Sequence, residues 1–370
     1  MNHGLRAVAA LLPLTAGCAH AEDRTPDHLV AAYYYPWHGA GFHGGQYLRE
    51  RLTPPQGPLI GEYDDSSPEV IAHQIAWSER AGVDVWAVSW WGAGSREDRT
   101  LLQSTLPALA SREVRFAIHF ETEGLTHGFT RLGAIPHEMR HLAMNYFGHP
   151  RCLRIGGRPV LIVYLARAAQ AHGMLEPMIA SMRAAARESG TDVFLVGDCA
   201  FGPPPAEAPW MSCLDAITNY DVYARTGEGV RLWATAEGLD RMFAEQRAWR
   251  ALAHRHGVAF VPAVTPGFND RGVREGHLPL SRSLSREAEE GSLFRAMLRG
   301  ARELTDASAA HLLLITSWNE WHEDTQIEPV APAPPANRDD SPSGTALTGG
   351  LAYPGYGMLY LDMIPEELGR

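Results

Sequence analysis

The sequence predicts an α/β fold, a single (β/α)8 TIM barrel with extended βα loops, and three observations predict it. Eight short runs rich in apolar, β-branched or aromatic residues alternate with helical patterns along the chain. Most of these runs are continuously apolar rather than alternating, as expected for strands buried on both faces of a parallel sheet. The chain has 370 residues, enough for the roughly 250 residues of such a barrel with long loops added.

The predicted strands, in order, are His28–Tyr35, Val83–Trp90, Val114–Phe120, Pro159–Leu165, Asp192–Gly197, Cys213–Asn219, Val258–Val264 and His311–Ser317. The clearest helix starts at Ser67-Pro68-Glu69: Ser67 caps, Pro68 suits the first helical position and Glu69 faces the positive end of the dipole. Further helices are predicted near Leu101–Ser111, Pro136–Tyr146, Leu175–Glu188, Ala236–His256 and Ser285–Leu304. The stretch 331–350, rich in proline, glycine and serine, reads as a long loop after the eighth strand. An open doubly wound sheet is the competing arrangement, but no G-x-G-x-x-G follows the first strand. No fixed-period repeat is visible.

The first residues read as an address. Arg6 precedes the apolar stretch Ala7–Ala16, and small residues follow at Gly17, Ala19 and Ala21. Residues 1–21 are expected to be a signal peptide, leaving 22–370 as one secreted or periplasmic domain. Leu14-Thr15-Ala16-Gly17-Cys18 is an imperfect lipoprotein-type alternative that would place a lipid anchor on Cys18. No later apolar run reaches the roughly 18 residues of a transmembrane helix.

Composition excludes several functions. The formal net charge of −11 repels phosphate backbones, so nucleic acid is not an expected partner. All 32 basic residues are arginine and none is lysine, which removes Schiff-base aldolases, pyridoxal phosphate enzymes and lysine-bearing phosphate loops. The three cysteines beyond residue 21, Cys152, Cys199 and Cys213, show no C-x-x-C spacing and form neither a disulfide framework nor a zinc cluster. His137-Glu138-Met139-Arg140-His141 matches H-E-x-x-H, but Met144 and Phe147 stand where a longer zinc motif continues, and Pro136 starts an ordinary crossover helix. No metal or cofactor is expected.

In a barrel of this kind chemistry sits where strands end. The ends here carry Tyr33-Tyr34-Tyr35-Pro36-Trp37, Trp90-Trp91-Gly92, His119-Phe120-Glu121, Asn219-Tyr220-Asp221 and Trp318-Asn319-Glu320-Trp321-His322-Glu323. Five of the ten tryptophans, at 37, 90, 91, 318 and 321, therefore gather at one rim. Such a cluster suits a ligand with apolar faces and polar edges, as a sugar ring has. Glu320 and Glu323 are three residues apart, and in a helical turn they project from one face with Cβ atoms about 5–6 Å apart. Two close carboxylates do not both ionise easily, so one becomes an acid while the other stays a base.

The run from Trp318 through Glu328-Pro329 resembles the signature of glycoside hydrolase family 99, the endo-α-1,2-mannosidases and endo-α-1,2-mannanases. Tyr33 to Trp37, Ser66 to Ile71, Val88 to Gly92, His149-Pro150, Gly157 to Val160, Val163-Tyr164 and Pro266 to Asp270 agree in order along the chain. The resemblance implies a retaining, metal-free barrel that hydrolyses an α-mannan-like oligosaccharide or polysaccharide from within. It further implies that Glu320 is the base acting on the sugar's own 2-hydroxyl, giving a 1,2-anhydro sugar. Glu323 is then the acid that protonates the leaving oxygen and later activates water. Tyr35, Trp91, His119, Glu121, Tyr220, Asp270 and Arg274, with Trp318 and Trp321, are the implied substrate-binding residues. Asp324 stands where the family usually has glycine and is expected to disturb its acidic neighbour, and the segment Gly202–Trp210 matches no usual loop of the family. A hydrolase of another α-linked glycan and a non-catalytic sugar-binding barrel remain the alternatives.

Overall fold

The computed structural model of the chain describes Met1 and residues 28–42, 46–122, 132–225, 232–274 and 276–370. The expected signal peptide, and Cys18 with it, lies outside the described residues. The strands are β1 (Leu29–Tyr34), β2 (Val85–Trp90), β3 (Arg115–Phe120), β4 (Arg154–Ile155), β5 (Arg158–Val163), β6 (Phe194–Asp198), β7 (Ala216–Thr218), β8 (Ala259–Phe260), β9 (Ala263–Val264), β10 (Leu312–Ile315), β11 (Val330–Ala336) and β12 (Tyr353–Gly357). The main sheet runs β8-β7-β6-β5-β3-β2-β1-β10-β9, every pair along it parallel, and β4 adds to β5 as a short antiparallel hairpin.

The expected seventh strand, Val258–Val264, is not continuous. It divides into β8 and β9 around Val261-Pro262, and the pieces occupy opposite ends of the sheet order. Val261 N–H still donates to Ile217 on one side (2.9 Å), while the Pro262 carbonyl accepts from Leu314 N–H on the other (3.0 Å). Proline has no N–H to continue the ladder, so the strand changes partner at that residue and closes the (β/α)8 barrel.

Helix ends follow local chemistry. Ser67 Oγ accepts from Val70 N–H at the head of Pro68–Ala81, and Gly82 ends that helix at φ 69°. The helix expected from Ser285 begins at Ser292 instead. Ser285 Oγ holds Ala288 in a turn, and Gly291 adopts φ 80°, a left-handed value that breaks the helical run. The expected 331–350 loop is partly ordered as β11, which pairs with β12 in a ribbon interrupted by register shifts. Pro332, Pro334 and Pro335 fit there because a two-stranded ribbon leaves one backbone edge unpaired. The helix Leu359–Leu368 then returns to the outer layer, where Glu367 pairs with Arg295 (2.8 Å) and Arg299 (2.5 Å).

The pleat sorts strand residues into two clusters. Leu29, Ala31 and Tyr33 of β1 and Tyr35 just beyond it, with Val85, Ala87, Ala117, Val160, Ile162 and Val196, belong to a cluster made mostly of strand residues, the barrel interior. Val30, Ala32, Tyr34, Trp86, Val88 and Trp90 instead join a cluster shared with helix residues such as Ile71, Leu101 and Met139. Trp86 is fully buried in that layer, stacked on Tyr34 at 4.3 Å and donating its indole N–H to Ser78 Oγ at 2.9 Å. Trp86→Ala is expected to cost roughly 3–5 kcal/mol of stability, read as a lowered urea midpoint, if the fold depends on this layer as described.

Candidate active site

Inward parity, carried to the strand ends, delivers Tyr33 and Tyr35 beside Ser89, His119, Glu121, Asp198 and Tyr220. The Tyr33 ring lies 4.7 Å from His119 and 4.9 Å from Tyr220, centroid to centroid. The Tyr35 and Tyr220 hydroxyls are 2.6 Å apart, and Ser89 Oγ donates to Glu121 Oε1 at 2.6 Å. Asp198 Oδ1 accepts from Tyr220 N–H at 2.9 Å, and Arg167 bridges Asp198 and Asp221. Burial drives the His119 imidazole down to about 3, so it stays neutral, and among the described residues neither ring nitrogen has a hydrogen-bond partner, although Glu121 Oε1 lies 3.4 Å from Nδ1.

After β10 the chain enters a short 3-10 turn, Trp321–Glu323, with Glu320 as its cap. Glu320 Oε1 accepts from His322 N–H at 2.9 Å, and Glu320 N–H donates to Ser317 Oγ at 2.8 Å. The helical turn expected for the carboxylate pair is thus present, in its tighter form. Tyr220 OH donates to Glu323 Oε2 at 3.3 Å, and Arg274 Nη1 lies 3.6 Å from Oε1. Burial, then the charges of Glu320 and Asp221, push the Glu323 carboxyl well above the ordinary carboxylate range; Arg274 opposes them and Asp270 adds to them. Glu323 is therefore raised beside Glu320, whose Oε1 already accepts a backbone N–H. The second raised acid is Asp198, moved up to about 6 by burial against the pull of Arg167, with Asp221 adding to the rise.

The structure gathers most of the expected site residues but redistributes the tryptophans. Tyr35, His119, Glu121, Tyr220, Glu320 and Glu323 meet at the mouth. Asp270 joins through Arg274 (3.0 Å) and also takes His277 Nδ1 (2.8 Å). Trp91 is 37% exposed, with its N–H on Ser89 Oγ at 3.0 Å. The expected platform of Trp90, Trp318 and Trp321 is corrected: their exposures are 0%, 0% and 1%. Trp90 faces the helices on the outward parity and donates to Asp98, whereas Trp321 donates to Glu328 and packs against Tyr47. The aromatic surface passes to Trp37, stacked on Tyr35 at 4.5 Å and edge-on to His322 at 5.7 Å. Asp198 and Arg167 were not anticipated, and Ser89, Asp221 and His322, though read at or near strand ends, were given no role there. For Ser89 and Asp198 the available signal was strand parity, which separates Ser89 from Trp90 and Asp198 from Gly197.

The H-E-x-x-H helix and Asp324 lie beside this site. In the H-E-x-x-H helix, His137 is exposed, Glu138 accepts from Ala93 N–H (2.8 Å) and His141 Nε2 pairs with Asp98 (2.9 Å). Among the described residues no cluster of three or more His, Cys, Asp or Glu is placed to hold a metal. Asp324 does not act on Glu323 as expected. Its side chain turns away into Arg49 (2.6 Å) and Arg282 (3.2 Å), which hold its carboxyl below the usual range despite burial. Its φ of 48° is the left-handed conformation that favours glycine, tolerated by aspartate better than by most residues.

This geometry has recognisable relatives. A mouse glycoprotein endo-alpha-1,2-mannosidase is 22% identical over 367 residues, covering 88% of this chain and 73% of its own length. A human glycoprotein endo-alpha-1,2-mannosidase-like protein is 21% identical, covering 91% and 72%. Among solved structures, an endo-alpha-mannosidase from Bacteroides thetaiotaomicron in complex with bis-tris-propane superposes with a TM-score of 0.66 at 23% identity, over 93% of this chain and 96% of that one. The profile of glycosyl hydrolase family 99 matches residues 24–339. With that span covering most of the chain, the barrel and its paired glutamates belong to a member of glycosyl hydrolase family 99.

Proposed function

We propose that this glycoside hydrolase cuts internal α-1,2-mannosidic bonds of mannan or a related oligosaccharide with retention of configuration. The observation that carries the reading is the split within the dyad: Glu323 is raised by burial and by Glu320, while Glu320 is oriented by His322 N–H. The mouse glycoprotein endo-alpha-1,2-mannosidase and the Bacteroides endo-alpha-mannosidase to which the chain is similar support the choice of mannose. In the first half-reaction Glu320 takes the proton of the substrate 2-hydroxyl, O2 attacks the anomeric carbon and the glycosidic C–O bond breaks. The departing oxygen receives its proton from Glu323, leaving a 1,2-anhydro sugar. Glu323, now a carboxylate, then takes a proton from water as it attacks that carbon, and O2 recovers its proton from Glu320. Tyr35, His119, Glu121, Tyr220, Asp270 and Arg274 line the sugar, with Trp37 and Trp91 as its apolar walls. A leader at 1–21 would deliver the enzyme to a secreted or periplasmic glycan.

Digestion of defined α-1,2-mannans, with NMR of the newly formed anomeric centre, tests bond, endo action and stereochemistry together. Glu320→Gln is expected to lower kcat/KM by roughly 10²–10⁴ on every substrate. Glu323→Gln should do so on natural mannan but far less on substrates with good leaving groups; equal loss on both would remove the role assignment.

Activity requires protonated Glu323, so the alkaline limb follows its raised pKa and turnover falls as pH rises through it. Arg274 lowers that pKa, so Arg274→Gln should move the alkaline limb to higher pH, as measured in kcat/KM profiles at constant ionic strength. Trp91→Ala should weaken mannose-oligosaccharide binding by about 1 kcal/mol in calorimetry, and the same ligands should quench tryptophan fluorescence less in that variant.

A further inference from the structure

The side of the catalytic turn away from the sugar is held by the C-terminal segment. The Tyr356 ring receives the guanidinium groups of both Arg49 and Arg282, each 5.0 Å from its centroid, and Arg282 also lies 4.9 Å from the Tyr360 ring. Those arginines carry the Asp324 carboxylate, and Arg282 Nη2 donates to the carbonyls of Asp324 (2.7 Å) and Gln326 (3.0 Å). Arg49 Nη1 reaches the Pro354 carbonyl at 2.9 Å, and Tyr356 OH donates to the carbonyls of Gln326 and Glu328. A second route ends on Glu323 itself: its carbonyl accepts from Asn269 N–H (2.7 Å), while Asn269 Nδ2 donates to Tyr353 OH (2.6 Å).

We infer that Asp324, Arg49 and Arg282, buttressed by Tyr353, Tyr356 and Tyr360, form a clamp that sets the position of Glu323. These are positioning residues, and the three tyrosines lie beyond the 24–339 span of the family match. The inference rests on the acid role given to Glu323 above. Two buried guanidinium groups sharing one aspartate are costly unless other groups receive them, and the tyrosine faces do so. The aspartate also occupies a left-handed position where glycine would relax the backbone, so its carboxylate, rather than its backbone, carries the role. A turn anchored at the Glu323 carbonyl and at the next residue leaves the acid little freedom, and small displacements of a reacting group are expensive in rate.

The test uses the full chain and pairs kinetics with hydrogen exchange. Arg49→Lys keeps the charge but loses the fork, Tyr356→Leu removes the ring faces, and Asp324→Gly relaxes the backbone while stranding the arginines. Each is expected to lower kcat on α-1,2-mannan by ~10-fold or more with KM nearly unchanged. Amides of residues 317–326 should exchange faster, with the rest of the barrel as protected as before, and the loss should be smaller for Tyr356→Phe. Unchanged exchange at 317–326, unchanged kcat in all three variants, or uniform loosening of the whole barrel would overturn the clamp. If the unsubstituted enzyme cleaves no α-mannan, the proposed substrate fails while the exchange measurement still decides the clamp.

Discussion

The side-chain amide of Asn319 pairs with the backbone of Tyr35 in both directions, accepting its N–H at 2.8 Å and donating to its carbonyl at 3.0 Å, and the mouth of the barrel depends on this pairing. β1 and β10 are neighbours in the sheet, but past Ile315 their ladder stops. Asn319, with Trp318 N–H on the Tyr33 carbonyl at 2.7 Å, continues it by one more step. Buried backbone groups left unpaired there would each cost about 1–3 kcal/mol. The same stitch brings the loop bearing both glutamates against the Tyr35–Tyr220 hydroxyl pair.

The raised pKa of Glu323 follows from burial and crowding. Glu320, Glu323, Asp198 and Asp221 share one end of the barrel, and the arginines that answer them are unequal. Arg167 reaches Asp198 and Asp221 directly, whereas Arg274 is 54% exposed and stands 3.6 Å from Glu323. An exposed cation is screened by water and tempers the acid rather than ionising it. Asp324 is buried more deeply than Glu323 and Asp221, yet its two arginines keep it ionised and turned away from the sugar side. Adjacent acids in one turn are thus shifted in opposite directions, Glu323 up and Asp324 down, because their partners differ.

Tryptophan serves two purposes in this molecule, and strand parity divides them. Trp86 and Trp90 alternate with Val85, Ala87 and Ser89, so they fall between sheet and helices, where each indole N–H finds an oxygen acceptor. Trp91, one residue past the end of β2, escapes that layer and remains open. A count of aromatics near strand ends does not make this distinction, which is why the expected platform was larger than the one observed.

The sequence by itself determined the barrel, because buried parallel strands leave continuous apolar runs and their crossover helices leave a 3.6-residue period, both local signals. It also determined the Glu320–Glu323 spacing, since three residues place both side chains on one helical face wherever the turn forms. The tertiary structure decided what no local pattern encodes. Pro262 splits a strand only because partners lie on both sides of it, Trp321 is buried against Phe42 and Tyr47 from the stretch after β1, and Trp318 lies near Trp86 in the layer between sheet and helices. Asp198 and Arg167 join the site through contacts between separate strand ends. Asp324, a departure that read as a threat to the acid, is neutralised by arginines 275 and 42 residues away in the chain. Charges interact through space rather than along the sequence, so their partners became visible only when the chain was folded.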